Sequence, residues 1–261
     1  MIQSETALQW LTRKKDPTIF LNTGHEGIDQ QLPEGTIPIN SVTEIAGDSG
    51  VGKIELAATI VSNILLSEAK AYWKVIIFDF NGTFRTQKLL DIITSRGNIS
   101  NEEGLLLLER VYIERVYTPG DMINTFDRID EDLLKISYVP LVVINSIGAI
   151  LSDTPFMDNY NKTQVSIEGS LVVEQVLKRM RDFCSLSGGT IITLNHLVHW
   201  RGYPCPALGN TWIKASIISA RIILERSEDG ILTARVQKRN ERNQIKIQYE
   251  VNQGGFCAVS K

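Results

Sequence analysis

At 261 residues, with 43% hydrophobic and 22% charged side chains and a formal net charge of -3, the chain has the size and balance of one large α/β domain with a substantial core. The slightly acidic total does not advertise a duplex-DNA binder, although it leaves room for a local basic patch. No apolar run has the length of a signal-peptide core or a membrane span, and the three cysteines, Cys184, Cys205 and Cys257, lack a spaced framework, so the expectation is free thiols in a soluble intracellular protein.

In chain order, residues 1–18 read as a lead segment, with apolar Ala7, Leu8, Trp10 and Leu11 ahead of basic Arg13, Lys14 and Lys15. Residues 19–261 read as a single core. A β-rich run over 41–46 enters Gly47-Asp48-Ser49-Gly50-Val51-Gly52-Lys53, the G-x-x-x-x-G-K pattern of a phosphate-binding loop. Its glycines let backbone N–H groups turn inward around phosphates, while the lysine reaches the outer ones. After Lys53, Ile54, Ala57, Ala58, Val61, Ile64 and Leu65 recur at helical spacing, so the helix dipole would reinforce the cradle. The residue after the lysine should carry a hydroxyl for Mg2+, and Ile54 has no ligand atom.

Further on, strands are expected over 75–79, 111–117 and 140–145, with helices around 89–93 and over 121–135. The alternation predicts a mostly parallel central sheet flanked by helices. The run over 140–146 has the shape of a Walker B strand, ending in Asn145 where an aspartate is expected. An amide can orient a metal-bound water but lacks the charge that offsets Mg2+. A long amphipathic helix over 170–187 stops at Gly188-Gly189 and leads into a strand over 190–195. Three β-rich runs follow, over 220–225, 232–237 and 245–251, with the turn Asp229-Gly230 between the first two.

The segment Phe78-Asp79-Phe80-Asn81-Gly82-Thr83-Phe84-Arg85 resembles the D-x-E-G-T-F-R run of the RecA-like recombinases and their eukaryotic Rad51-type paralogues, with Asn81 in place of the water-positioning glutamate and some likeness to the D-type. The resemblance extends through Leu21-Asn22-Thr23-Gly24, Val42-Thr43-Glu44-Ile45, the switch-like Asn195-His196 and Pro206-Ala207-Leu208-Gly209-Asn210-Thr211-Trp212, in the family's order across residues 19–252. The P-A-L-G-x-x-W run is closer to the paralogues than to the strand-exchanging recombinases. Asn40 stands where a glycine is usual, and asparagine readily accepts a left-handed turn.

The resemblance implies a RecA-like core that binds ATP or ADP through Gly47, Asp48, Ser49, Gly50, Val51, Gly52, Lys53 and Ile54, with weak or absent Mg2+ dependence, no resident metal and no catalytic residue. Ile54, Asn145 and Asn81 remove two metal ligands and a general base, the base alone being worth about 10² to 10⁴ in rate. Lys53 in an ion pair with a carboxylate is the plain alternative. The resemblance also suggests an adenine contact from Arg85 or Lys88. Of the two DNA-facing loops it implies, 151–168 is acidic and a poor phosphate clamp, whereas His199, Trp200, Arg201 and Tyr203 form either a stacking platform for single-stranded DNA or a packing surface for a partner subunit. The basic run 238–242 reads as a solvated turn or a contact in trans. His196, His199 and Cys205 lack a fourth ligand for zinc.

The recombinases carry an additional N-terminal helical domain, and a core starting near Thr18 reads as a cap or adaptor. The implied role is a nuclear recombination mediator, with no membrane association, that joins another paralogue and binds the recombinase filament on single-stranded DNA without turning over ATP. The alternatives are a DNA-stimulated ATPase and a nucleotide-sensing regulator, the latter opposed by the P-A-L-G-x-x-W run.

Overall fold

A computed structural model describes residues 20–80, 82–133, 141–152, 167–200, 203–238 and 245–259. The lead segment 1–18, and with it the expected boundary at 19, lies outside the described residues, as do most of the acidic loop and the basic run 239–242.

The centre is a nine-stranded sheet of β1 (Val42–Gly47), β2 (Val75–Asp79), β3 (Val111–Arg115), β4 (Leu141–Asn145), β5 (Thr190–Asn195), β8 (Ile218–Arg226), β9 (Leu232–Lys238), β10 (Ile247–Asn252) and β11 (Gly255–Ala258), ordered β11-β10-β9-β8-β1-β5-β4-β2-β3. The six strands from β8 to β3 run parallel, and β9, β10 and β11 continue the sheet antiparallel. Every residue of β1, β2, β4 and β5 is buried, as strands covered on both faces must be, and this explains their unbroken apolar runs. β3 mixes partly buried and exposed residues because it forms an edge.

Alternate residues of one strand serve two cores. Leu141 and Val143 of β4 join Leu56, Ile60 and Ile64 of α2 (Lys53–Leu65) and Leu89 and Ile92 of α3 (Thr86–Gly97). Val142 and Ile144 join Met122 and Phe126 of α5 (Pro119–Leu133) and Val176, Met180 and Phe183 of α7 (Ile167–Ser187). Phe126 lies edge-on to Phe78 and tilted against Phe183, with centroids 4.9 and 5.2 Å away, arrangements that suit aromatic quadrupoles.

The expected strands and long helices are present, with ends moved by a few residues. Several features go beyond the sequence reading. Helix α4 (Asn101–Leu108) starts at a capping box in which Ser100 and Glu103 satisfy each other's backbone N–H groups, and it packs so closely on α3 that a Cβ at Gly104 would lie 2.7 Å from Leu90. The stretch expected as a loop after β5 is a hairpin of β6 (Leu197–Trp200) and β7 (Tyr203–Pro206). The short α8 (Gly209–Ile213) and strand β11 also went unread. Short helices α1 (Glu26–Asp29) and α6 (Ile147–Ser152) complete the described elements, apart from two turns of 3-10 helix. Among the described residues, no helix is long and apolar enough to cross a membrane.

Candidate nucleotide site

β1, hydrogen-bonded between β5 and β8, delivers the glycine-rich loop to the carboxyl edge of the sheet. A Cβ at Gly47 would lie 2.6 Å from the Leu224 carbonyl oxygen, and Gly52 has a φ of 95°, so both positions require glycine. The loop is also held from outside. The Tyr249 hydroxyl donates to the Val51 carbonyl, and Arg226 Nη2 donates to the Gly50 carbonyl at 2.9 Å. Tyr249 is in turn stacked on Phe256 at 4.1 Å. Burial raises the phenol far above its ordinary pKa, so it remains a neutral donor. The last strands of the sheet thus brace the loop through Tyr249, Phe256 and Arg226, of which the sequence reading placed only Tyr249 in a strand.

The ammonium of Lys53 donates to the carbonyls of Gly47 at 2.7 Å and Asp48 at 2.6 Å. Main-chain oxygens, rather than a carboxylate, receive these bonds. Burial lowers its pKa, while the carboxylates of Asp48 and Glu55 oppose that shift. Ile54 packs its hydrocarbon side chain against the core and, with Glu55, Ala58, Thr83, Phe84, Arg85 and Lys88, lines a cavity of about 240 Å³. Lys88 is ion-paired to Glu55 at 2.7 Å, so its charge has a partner on α2.

Asn145 ends β4 opposite Asp79. Its Nδ2 donates to Asp79 Oδ1 at 3.0 Å and to Thr83 Oγ1 at 2.9 Å. The other carboxylate oxygen of the fully buried Asp79 accepts from Arg115 Nη1 at 2.7 Å and from the Phe84 N–H at 3.4 Å. The anionic group nearest Asn145 is therefore already matched by a guanidinium. Asn81 lies outside the described residues.

These contacts separate two fits. A glycine loop held open from below, with a lysine across it and a 13-residue helix behind it, fits phosphates. The hydrocarbon of Ile54, an uncharged amide and an arginine-paired carboxylate do not make the charged oxygen set that Mg2+ requires.

A second constellation, absent from the sequence reading as a cluster, lies below the loop. Glu44, fully buried in β1, accepts from Asn195 Nδ2 at 2.7 Å, Trp212 Nε1 at 2.6 Å and Arg221 Nε at 2.6 Å. Asn195 also accepts the His196 N–H at 2.9 Å, and His196 O accepts from the Ala207 N–H at 3.1 Å. The P-A-L-G-x-x-W run is thereby tied to β1 and to the switch-like pair. Burial, followed by the charge of Lys53, lowers the His196 pKa, which favours the neutral imidazole beside the loop.

In the hairpin, His199 is exposed and pairs in register with Pro204, and Trp200 pairs with Tyr203. The side chains of Trp200 and Tyr203, and the whole of Arg201, lie outside the described residues. The Cys205 thiol turns to the Val198 carbonyl at 3.5 Å, and among the described residues no three His, Cys, Asp or Glu side chains group to hold a metal. Cys184 sits in the core between α7 and the sheet, where burial pushes its thiol up to about 12. It should therefore resist iodoacetamide at pH 8 in the folded protein and react fully in denaturant. Peptide mass spectrometry of native labelling reads this directly, and rapid native alkylation at Cys184 would contradict its placement.

The sequence model of the family described as Rad51 matches residues 13–187. Among characterised proteins, the chain is 30% identical over 259 residues to a RAD51-like protein 1 of Caenorhabditis briggsae, covering 98% of this chain and 96% of that one. It is 24% identical over 221 residues to DNA repair protein RAD51 homolog 4 of Mus musculus, covering 82% and 63%. Against DNA repair protein RAD51 homolog 2 of Mus musculus the identity is 25% over 263 residues, covering 85% and 71%.

Proposed function

The chain belongs to the Rad51 family, as a paralogue of the RecA-like group, and from that premise we propose that it is an accessory factor of homologous recombination repair in the nucleus. It joins another paralogue, binds the recombinase filament on single-stranded DNA and stabilises or remodels it without hydrolysing ATP. Residues Gly47 to Ile54 hold ATP or ADP with little dependence on Mg2+, and the β6–β7 hairpin, through His199, Trp200, Arg201 and Tyr203, makes a weak contact with DNA.

One observation carries the non-hydrolytic part of this reading. The loop and Lys53 are intact, while Ile54 is packed as a hydrocarbon and Asn145 is bonded to Asp79 and Thr83. An ATPase of this architecture stabilises the transferring phosphoryl group largely through a metal bridge, and these side chains do not supply one. The intact loop favours retained binding.

The test uses labelled recombinase filaments on single-stranded DNA, watched with and without the protein and its paralogue partner. Slower filament dissociation or altered growth at an end is expected, together with phosphate release no higher than for Lys53→Ala. Unchanged growth and dissociation would remove the mediator reading. Lys53-dependent turnover would instead make the protein a DNA-stimulated ATPase.

A further inference from the structure

We infer that the loop is a nucleoside-diphosphate site that works without a divalent cation and gives a third phosphate no advantage. The inference rests on the nucleotide-binding reading above and adds which nucleotide the site prefers. In a G-x-x-x-x-G-K cradle, loop N–H groups and the helix start serve the inner two phosphates, and the terminal phosphate depends chiefly on the metal bridge and the lysine.

The inner half is fully built in this chain. Gly50, at φ 76°, has open space where a Cβ would stand. Tyr249 and Arg226 fix the carbonyls of Val51 and Gly50 from outside the cradle, so the main chain is organised before any ligand arrives. This lowers the ordering cost of binding.

The outer half lacks its charge. Ile54 contributes no oxygen, both donor positions of the Asn145 amide are engaged, and the Arg115 guanidinium is bonded to Asp79. His196 is held toward its neutral form by burial and by Lys53. Lys53 already feels the carboxylates of Asp48 and Glu55, and Lys88 is matched by Glu55. A third phosphate brings a further negative charge toward these carboxylates, with no metal to offset it. Its attraction to Lys53 is shared with the β-phosphate, so the net gain is near zero or unfavourable.

The experiment is displacement of a fluorescent ADP analogue from the full chain by ADP, ATP and AMP, in Mg2+ and in EDTA, with Lys53→Ala as the loop control. ADP is expected to bind at least as tightly as ATP in both buffers, with Mg2+ changing either affinity by less than about threefold, and AMP to bind at least about tenfold more weakly. ATP favoured by about tenfold or more in Mg2+, with the preference lost in EDTA, would overturn the inference and leave nucleotide binding standing. AMP as tight as ADP would also overturn it, because the β-phosphate would then not be read. Failure of the analogue to bind wild type any better than Lys53→Ala would remove the nucleotide-binding reading itself, and the inference with it.

Discussion

Replacing Arg221 with alanine is expected to lower the thermal midpoint by roughly 10 °C, a large stability loss for a single polar substitution. Glu44 is fully buried, and Arg221 Nε is the cationic group that reaches it, at 2.6 Å. Asn195 and Trp212 donate to its other oxygen but bring no charge. Truncating one partner of a buried ion pair leaves the other desolvated and unmatched, which costs about 3–5 kcal/mol. Arg221 also donates through Nη2 to the Trp212 carbonyl at 3.1 Å, so α8 should loosen along with β1. The double change Glu44→Gln with Arg221→Met removes both charges and should cost clearly less than the sum of the single changes. Thermal denaturation of wild type, Arg221→Ala, the two single changes and the double change decides it. A midpoint for Arg221→Ala within about 2 °C of wild type would show that the pair carries little of the fold's stability.

Asn145→Asp looks like a repair of the Walker B position, yet it is expected to destabilise the protein by about 2–4 kcal/mol at pH 8 and to leave phosphate release at background. The amide donates to Asp79 Oδ1 at 3.0 Å. A carboxylate there would face another carboxylate at that distance, with Arg115 already bonded to the far oxygen. Burial and like charge both raise the folded-state pKa of the introduced group above its unfolded value. A group of that kind binds its proton more tightly in the folded state. Its cost relative to wild type is therefore greatest above the folded pKa and shrinks as the pH falls through it, between about pH 8 and pH 5. Urea unfolding of both proteins across that range measures the trend. A variant as stable as wild type at pH 8, or one that gains hydrolysis, would show that Asp79 and Arg115 rearrange to admit a metal.

Much of this was legible because it is local. The glycine loop, the fully buried runs of β2, β4 and β5 and the Gly188-Gly189 helix stop each declare themselves within a few residues. Ile54 and Asn145 were readable because a motif fixes which atom should stand there. What could not be read is long-range. Glu44 looked like a polar residue in a strand, and its partners Asn195, Trp212 and Arg221 lie 151, 168 and 177 positions away. Neither spacing nor periodicity links them. The hairpin was missed for a different reason. The runs 197–200 and 203–206 are only two positions apart in the sequence, which is hairpin spacing, but aromatics beside a guanidinium read equally well as a loop. Ser100 and Glu103 did carry a capping-box signal, which the leucine run of α4 obscured, since four successive leucines have no helical period.

The bond from Tyr249 to Val51 spans 198 positions. A ribosome adding about 5–20 residues per second needs roughly 10–40 s to travel that distance. For most of that interval β1 and α2 are already synthesised, but the stacked Tyr249 and Phe256 that brace the loop are not. The growing chain thus exposes an unfinished cradle whose final shape awaits strands added much later. Acquisition of nucleotide affinity on stalled nascent chains would consequently mark the moment at which the sheet's antiparallel flank docks, making ligand capture a clock for the last stage of folding.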